Sequence, residues 1–368
     1  MDIVIATIPG DGSGTQLLDA ARAVLDRIAS MYGHRISFLP CSCGSSSVKA
    51  GEGPFPAEAR ERVLGADAVL LGPVLFGSRP DLPVGERPEA LLGKLRAALD
   101  ACINVRPVYA LPELAACSPL KRELVDKGFD MLLVRDLSQG VLTGERGRSD
   151  GDGGSSMYAA WDIDRYERGA IERVVRFACE AAARRKRVAS LDKAVVLETS
   201  RLWREVVQAV SADYADIAVS DMLIDDAAAR VISDPGAFDV IVTTGMFGDI
   251  LADEISALAG VPGMLPSAEI APDGKGLYTP NQIHASTEAQ DTANPLCMIL
   301  AAAQLLRYSC GLEEEARAVE RAVQRAVRDG IRTPDMFPNG FTAGEIERDA
   351  LEVVGTAEMA QSVCARIS

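Results

Sequence analysis

Asp249 and Asp253 stand four residues apart in Phe-Gly-Asp-Ile-Leu-Ala-Asp-Glu at 247–254, so a helix there brings both carboxylates to one face. Two acids that close repel unless something positive sits between them. Oxygen-only ligation suits a hard cation, Mg²⁺ or Mn²⁺, and Asp225, in Leu-Ile-Asp-Asp at 223–226, is available as a third carboxylate. A solvated acidic helix face has the same spacing, and spacing alone leaves both readings open.

Such groups need elements to aim them. Residues 2–8 read as a buried strand that breaks at Pro-Gly-Asp-Gly-Ser-Gly, with helical periodicity following over 16–30. Strands are predicted at 68–72, 131–134, 187–191 and 238–242, and helices at 88–100, 164–185, 200–214 and 247–259. The last third reads as helical, over 295–308 and 313–329. Strands alternating with helices imply an α/β fold with a mostly parallel sheet, and 368 residues are comfortable as two packed lobes rather than one core.

Composition narrows the partners. A formal charge of −15 repels phosphate backbones, which argues against nucleic acid. The one compact basic run, Arg184-Arg185-Lys186-Arg187, reads as a solvated helix end favoured by the macrodipole. No apolar run has the length of a membrane span, and a strand rather than a signal peptide opens the chain, so a soluble cytoplasmic protein is expected. Eight scattered cysteines suit reduced thiols. Cys41-Ser42-Cys43 lacks the spacing of paired zinc ligands, and only His34 and His284 could complete such a site.

Several stretches, taken in order, resemble the isocitrate/isopropylmalate dehydrogenase family of β-decarboxylating dehydrogenases over nearly the whole chain. They are Gly-Asp-Gly-Ser-Gly at 10–14, Leu95-Arg96 through Asn104-Val105-Arg106-Pro107, Val134-Arg135-Asp136-Leu137 and Leu191-Asp192-Lys193-Ala194. The helix at 197–205, the aspartate pair, Gly-Met-Leu-Pro-Ser-Ala at 263–268 and Val-Gly-Thr-Ala-Glu-Met at 354–359 extend the match.

The resemblance implies a two-lobed fold distinct from the usual Rossmann arrangement, with residues 1–101 and 260–368 forming the cofactor-side lobe and 102–259 an inserted substrate, metal and dimerisation lobe. It implies that Arg96, Arg106 and Arg135 grip a dicarboxylate, a role that suits guanidinium because it offers bidentate donors. Asp225, Asp249 and Asp253 would hold the metal, and Lys193 would act as base towards the substrate hydroxyl, with Asp225 beside it in the catalytic set. In the family that lysine and the first aspartate reach across a homodimer interface into the neighbouring site. Glu89 would face the nicotinamide ribose and the substrate's variable group, with Leu92 as a pocket wall. His284, Asp291 and Asn294 fall in the adenosine loop. The implied reaction is oxidative decarboxylation of a 3-substituted malate, with hydride passing to NAD; NADP stays open.

The chain also departs from the family pattern. The tyrosine expected seven residues after the third arginine is Leu142, which has no proton to donate. Gly93 stands for a pocket leucine, while Val195 and Gly245 stand for asparagines near the nicotinamide. Gly-Pro-Val-Leu-Phe at 72–76 replaces a small glycine-rich turn, and the adenosine loop is about three residues short. Three readings follow: an active dehydrogenase of an unusual malate, a silent or regulatory homologue that keeps the ligand site, and a decarboxylase or lyase that no longer moves hydride.

Overall fold

The structure is a computed structural model that describes residues 1–149, 159–261, 263–280, 291–337 and 351–368. It is α/β, and the chain divides into two compact units. The first comprises Met1–Ala101, Ala110–Asp126 and Ser256–Ser368, the second Cys102–Tyr109 and Lys127–Ile255. Residues 110–126 and 256–259 therefore group with the first unit, unlike the division read from the sequence. The contacts explain the difference: Ser118 Oγ donates to the Leu258 carbonyl, and Arg332 donates to the Glu113 carbonyl.

In the first unit, strands β1 (Asp2–Ile8), β2 (Arg35–Pro40), β3 (Ala68–Leu71), β11 (Pro266–Ile270) and β12 (Gly276–Pro280) lie in the order β2-β1-β3-β12-β11. All neighbours are parallel except β11 and β12. Helices α1 (Gly14–Tyr32), α2 (Ser45–Lys49), α3 (Ala57–Gly65), α4 (Ala90–Leu99), α10 (Leu296–Tyr308), α11 (Glu313–Arg328) and α12 (Thr356–Arg366) belong to this unit, with all but the last residue of α5 (Arg122–Lys127). Every residue of β11 and β12 is buried, so the reading of the last third as helical is corrected. Five-residue buried runs carry no alternation, and periodicity cannot find them.

The turn after β1 fits closely against the segment after β3. A Cβ on Gly10, whose φ is +74°, would lie 2.2 Å from the Pro73 carbonyl oxygen, and one on Gly72 would lie 1.8 Å from that of Pro9. Only glycine permits that approach. Asp11 accepts a hydrogen bond from the Leu75 amide at 2.9 Å, Val74 turns into the core, and Phe76 stands 68% exposed. The bulk that replaces the glycine-rich turn thus splits between core and solvent.

In the second unit, strands β4 (Ile103–Tyr109), β5 (Asp130–Asp136), β8 (Arg187–Asp192), β9 (Ala218–Leu223) and β10 (Val240–Thr243) lie in the order β4-β5-β10-β8-β9, with only β4 antiparallel to its neighbour. The unit also holds a short antiparallel pair, β6 (Arg146–Ser149) and β7 (Ala159–Asp162), helices α6 (Arg168–Ala181), α7 (Glu198–Ser211) and α8 (Ile224–Ser233), and, through Ile255, helix α9, which runs Gly245–Leu258. Helix α6 begins later than its predicted start at 164. Glu167 is extended, and the preceding Tyr166 is buried against Trp203.

The basic run lies beyond α6 rather than at its end. Arg185 pairs with Asp130 at 2.7 Å, Lys186 with Asp216 at 2.6 Å and Arg187 with Asp239 at 2.8 Å, so these cations tie the strand edges of their own unit.

Candidate active site

Register sets the core of the site in the second unit. Asn104 of β4 faces Arg135 of β5, and Arg106 lies two residues further along β4, on the same face as Asn104. Arg135 is almost fully buried, and its Nε donates to Asn104 Oδ1 at 2.9 Å. Asn104 was not singled out in the sequence, yet its place two before an arginine on a strand is the signal that would have found it.

Helix α9 supplies the acids. Gly248, Leu251, Ala252 and Ile255 form its buried face, while Met246, Asp249, Ile250 and Asp253 are exposed, as an amphipathic period demands. A Cβ on Gly248 would come within 2.7 Å of the Arg135 Cβ, so this glycine lets the arginine lie across the helix and reach the next residue. Arg135 Nη1 donates to Asp249 Oδ1, and Arg106 Nη1 donates to Asp253 Oδ1 at 3.2 Å. Two of the expected substrate arginines thus sit on the two acids expected to bind metal.

The lysine and third aspartate form a separate pair. Lys193 follows β8, its amide donating to Ser200 Oγ at 3.0 Å, and its Nζ donates to Asp225 Oδ1 at 2.5 Å in the first turn of α8. That hydrogen bond holds the Asp225 carboxyl below its ordinary range. Among the described residues no three of His, Cys, Asp and Glu converge to hold a metal ion, so one chain does not by itself assemble the three aspartates. The pair Asp249 and Asp253 nonetheless fits a hard cation: two exposed oxygen donors one helical turn apart.

Arg96, on α4 in the first unit, is held side-on by a residue the sequence reading passed over. Its Nε and Nη2 donate to the two carboxylate oxygens of Glu269 at 2.8 and 2.5 Å, and the Glu269 side chain is only 4% exposed. A lone acid inside a buried five-residue strand was the available signal, because such a charge demands a partner. Glu89, just before α4, accepts from the Gly77 amide at 3.3 Å through Oε1, while its buried Oε2 has no hydrogen-bond partner among the described residues. That idle acceptor fits a hydroxyl of a cofactor or substrate. Leu92 belongs to the packed core of its unit, whereas Gly93 faces solvent with open space around it.

The residues expected in an adenosine loop make contacts within the fold itself. Asn294 Oδ1 accepts from the Leu296 amide at 3.0 Å in the first turn of α10, and Asp291 accepts from the Ala357 amide at 3.3 Å at the start of α12. His284 lies outside the described residues. Leu142, 48% exposed, stands beside Gly245, with its Cδ1 3.6 Å from where a Cβ on that glycine would be. The nearby hydroxyl of Tyr166 accepts from the Gly245 amide at 3.1 Å, and burial raises its pKa well above the ordinary phenol value. The Cys41 and Cys43 thiols are buried, and His34 is taken up by Glu315 at 2.8 Å.

A mostly parallel α/β chain with arginines ranged against carboxylates has the make-up of the α/β enzymes that handle small anionic metabolites. A family profile described as isocitrate/isopropylmalate dehydrogenase matches residues 4–363, and the chain belongs to that family. It is 40% identical to a 3-isopropylmalate dehydrogenase of Clostridium acetobutylicum over 99% of both chains, and 41% identical to one of Oceanobacillus iheyensis over the same shares. The fold is similar to the crystal structure of isocitrate dehydrogenase from Methylococcus capsulatus, with a TM-score of 0.82 and 29% identity over 99% of each chain.

Proposed function

We propose that this chain oxidatively decarboxylates a 3-substituted malate, using Mg²⁺ or Mn²⁺ and passing hydride to NAD or NADP. The observation that carries the reading is the paired set Arg135–Asp249 and Arg106–Asp253. Each pair joins a group suited to a substrate carboxylate to a group suited to a cation, and the charges balance when both are absent. With Asp249 and Asp253 holding a cation, Arg135 and Arg106 would be left to hold substrate carboxylates. Their buried stems need little rearrangement to do so.

A metal held by Asp249 and Asp253 would supply Lewis-acid polarisation of the substrate, and a bound nicotinamide would supply the hydride acceptor. Lys193 takes the hydroxyl proton as the neutral amine, and Asp225 holds the ammonium that results. Glu89 Oε2 accepts a hydroxyl of the nicotinamide ribose or of the substrate's variable group.

Asp225 and Lys193 serve the site of a second copy, so the working form is a homodimer. The separation of Asp225 from the other two aspartates within one chain supports this, as do the exposed apolar side chains beside both sets: Met246 and Ile250 next to the α9 acids, Val195 and Val196 after Lys193.

Leu142 favours one other reading, a homologue that binds its ligand without turning it over, because no proton donor stands where the family has its tyrosine. Calorimetry with 3-isopropylmalate, with and without Mg²⁺, tests the shared premise. Binding that requires Mg²⁺ is expected, and no Mg²⁺-dependent binding of any malate would overturn both readings.

A further inference from the structure

We infer that Arg204 is a positioning residue: from helix α7 it ties together the two strands that lead into Lys193 and Asp225, and so fixes where that pair stands. Its guanidinium has a carboxylate on each strand. At the end of β8, Nε donates to Asp192 Oδ2 at 2.7 Å and Nη2 donates to Asp192 Oδ1 at 3.1 Å, while the same Nε lies 3.9 Å from Asp221 Oδ2 on β9. The two strands are parallel, with Asp192 level with Leu223, so Lys193 and Asp225 leave one edge of the sheet one and two residues further on. The Asp192 side chain is 0% exposed and cannot exchange its arginine for water. Its Oδ1 also accepts from the Ala194 amide at 2.8 Å, which closes the turn around Lys193.

The neighbours of Arg204 on α7 grip the same edge. Trp203, Arg204 and Gln208 follow Ser200 by three, four and eight residues, which puts all four on one face of the helix. Trp203 Nε1 donates to Ser190 Oγ at 3.0 Å, Ser200 Oγ accepts from the Lys193 amide at 3.0 Å, and Gln208 hydrogen-bonds Asp221. Trp203, Ser200 and Ser190 are buried, so this face of α7 is a rigid template. A lysine side chain is long and flexible, and its ammonium keeps one place only if its backbone and its partner are both held. Ser200 and Asp192 hold the Lys193 backbone, and Arg204 reaches the strand that carries Asp225, so that Nζ meets Oδ1. This positioning needs no substrate; its effect on turnover rests on the malate reading above.

Arg204→Lys keeps the charge but offers a point ammonium where the guanidinium spans two carboxylate oxygens. The full chain is acylated with acetic anhydride at one pH, and Lys193 is compared with Lys186 by mass spectrometry of digests; Asp225→Asn sets the rate of a released Lys193. Arg204→Lys should move Lys193 about threefold or more towards that rate, while Lys186, paired with Asp216 in the same unit, keeps its own. With a malate that is turned over, kcat should fall roughly tenfold to a hundredfold and KM change by less than about twofold. Ser200→Ala, which removes only the acceptor of the Lys193 amide, is read in the same way should the lysine variant fail to fold. An unchanged Lys193 to Lys186 ratio in a folded variant, even one with a lowered unfolding temperature, overturns the positioning role. A shifted ratio in a protein that turns over no malate upholds that role and counts against the malate reading alone.

Discussion

Asp249 and Asp253 each hold a guanidinium, so their replacement has two consequences at once. Asp249→Asn or Asp253→Asn removes a charged oxygen donor, and Mn²⁺ affinity should fall roughly tenfold to a hundredfold by titration calorimetry. Unchanged affinity would assign the metal elsewhere. Leu142 is the second residue whose chemistry can be read directly. It is half exposed beside the N-terminus of α9, so a tyrosine there meets no packing barrier. Leu142→Tyr should raise carbon dioxide release by roughly 100-fold if protonation limits turnover, as expected for a restored general acid. No gain would mean that another group already delivers the proton.

Helix α9 works as a lever only because Gly248 lets β5 approach it. Gly248→Ala sets a methyl 2.7 Å from the Arg135 Cβ, with Thr243 Cγ2 at 3.0 Å, inside the packed face. The variant should lose about 1–3 kcal/mol in urea unfolding and bind malates more weakly, because Arg135 is displaced. Elements such as α9 were legible in the sequence because they are long and one-sided. The same holds for α1, α7 and α11, whereas α10 and the buried strands β1, β5 and β8 showed as apolar runs. Other features gave no such signal. The β11–β12 hairpin is uniformly buried, the start of α6 yields to the burial of Tyr166, and β9 with α8 around Asp225 shows only short patterns. Of the site, the aspartate pair announced itself by spacing, and the arginines and lysine by family resemblance. Asn104 and Glu269 act as partners of other residues, and partnership across 31 and 173 residues is invisible to local pattern.

Across the whole molecule, the cysteines report on the integrity of the fold. Burial pushes the Cys43 and Cys297 thiols up to about 12 from an ordinary value of 9.0. In the unfolded chain they ionise near 9.0, so their contribution to stability is fully present below that pH and is lost as pH rises towards about 12. Mildly alkaline iodoacetamide should therefore label them slowly in the native protein and quickly in urea, as mass spectrometry of digests would show. Rapid native labelling would contradict the packing around them. No helix among the described residues is long and apolar enough to cross a membrane. The family match spans residues 4–363.

The most direct test of that reaction mixes the purified chain with Mg²⁺, NAD or NADP and a panel of 3-substituted malates, and follows nicotinamide reduction alongside carbon dioxide release. The account predicts reduction with at least one of these malates, with one carbon dioxide per hydride. Mg²⁺-dependent binding without reduction across the panel would contradict it and identify a ligand-binding homologue instead.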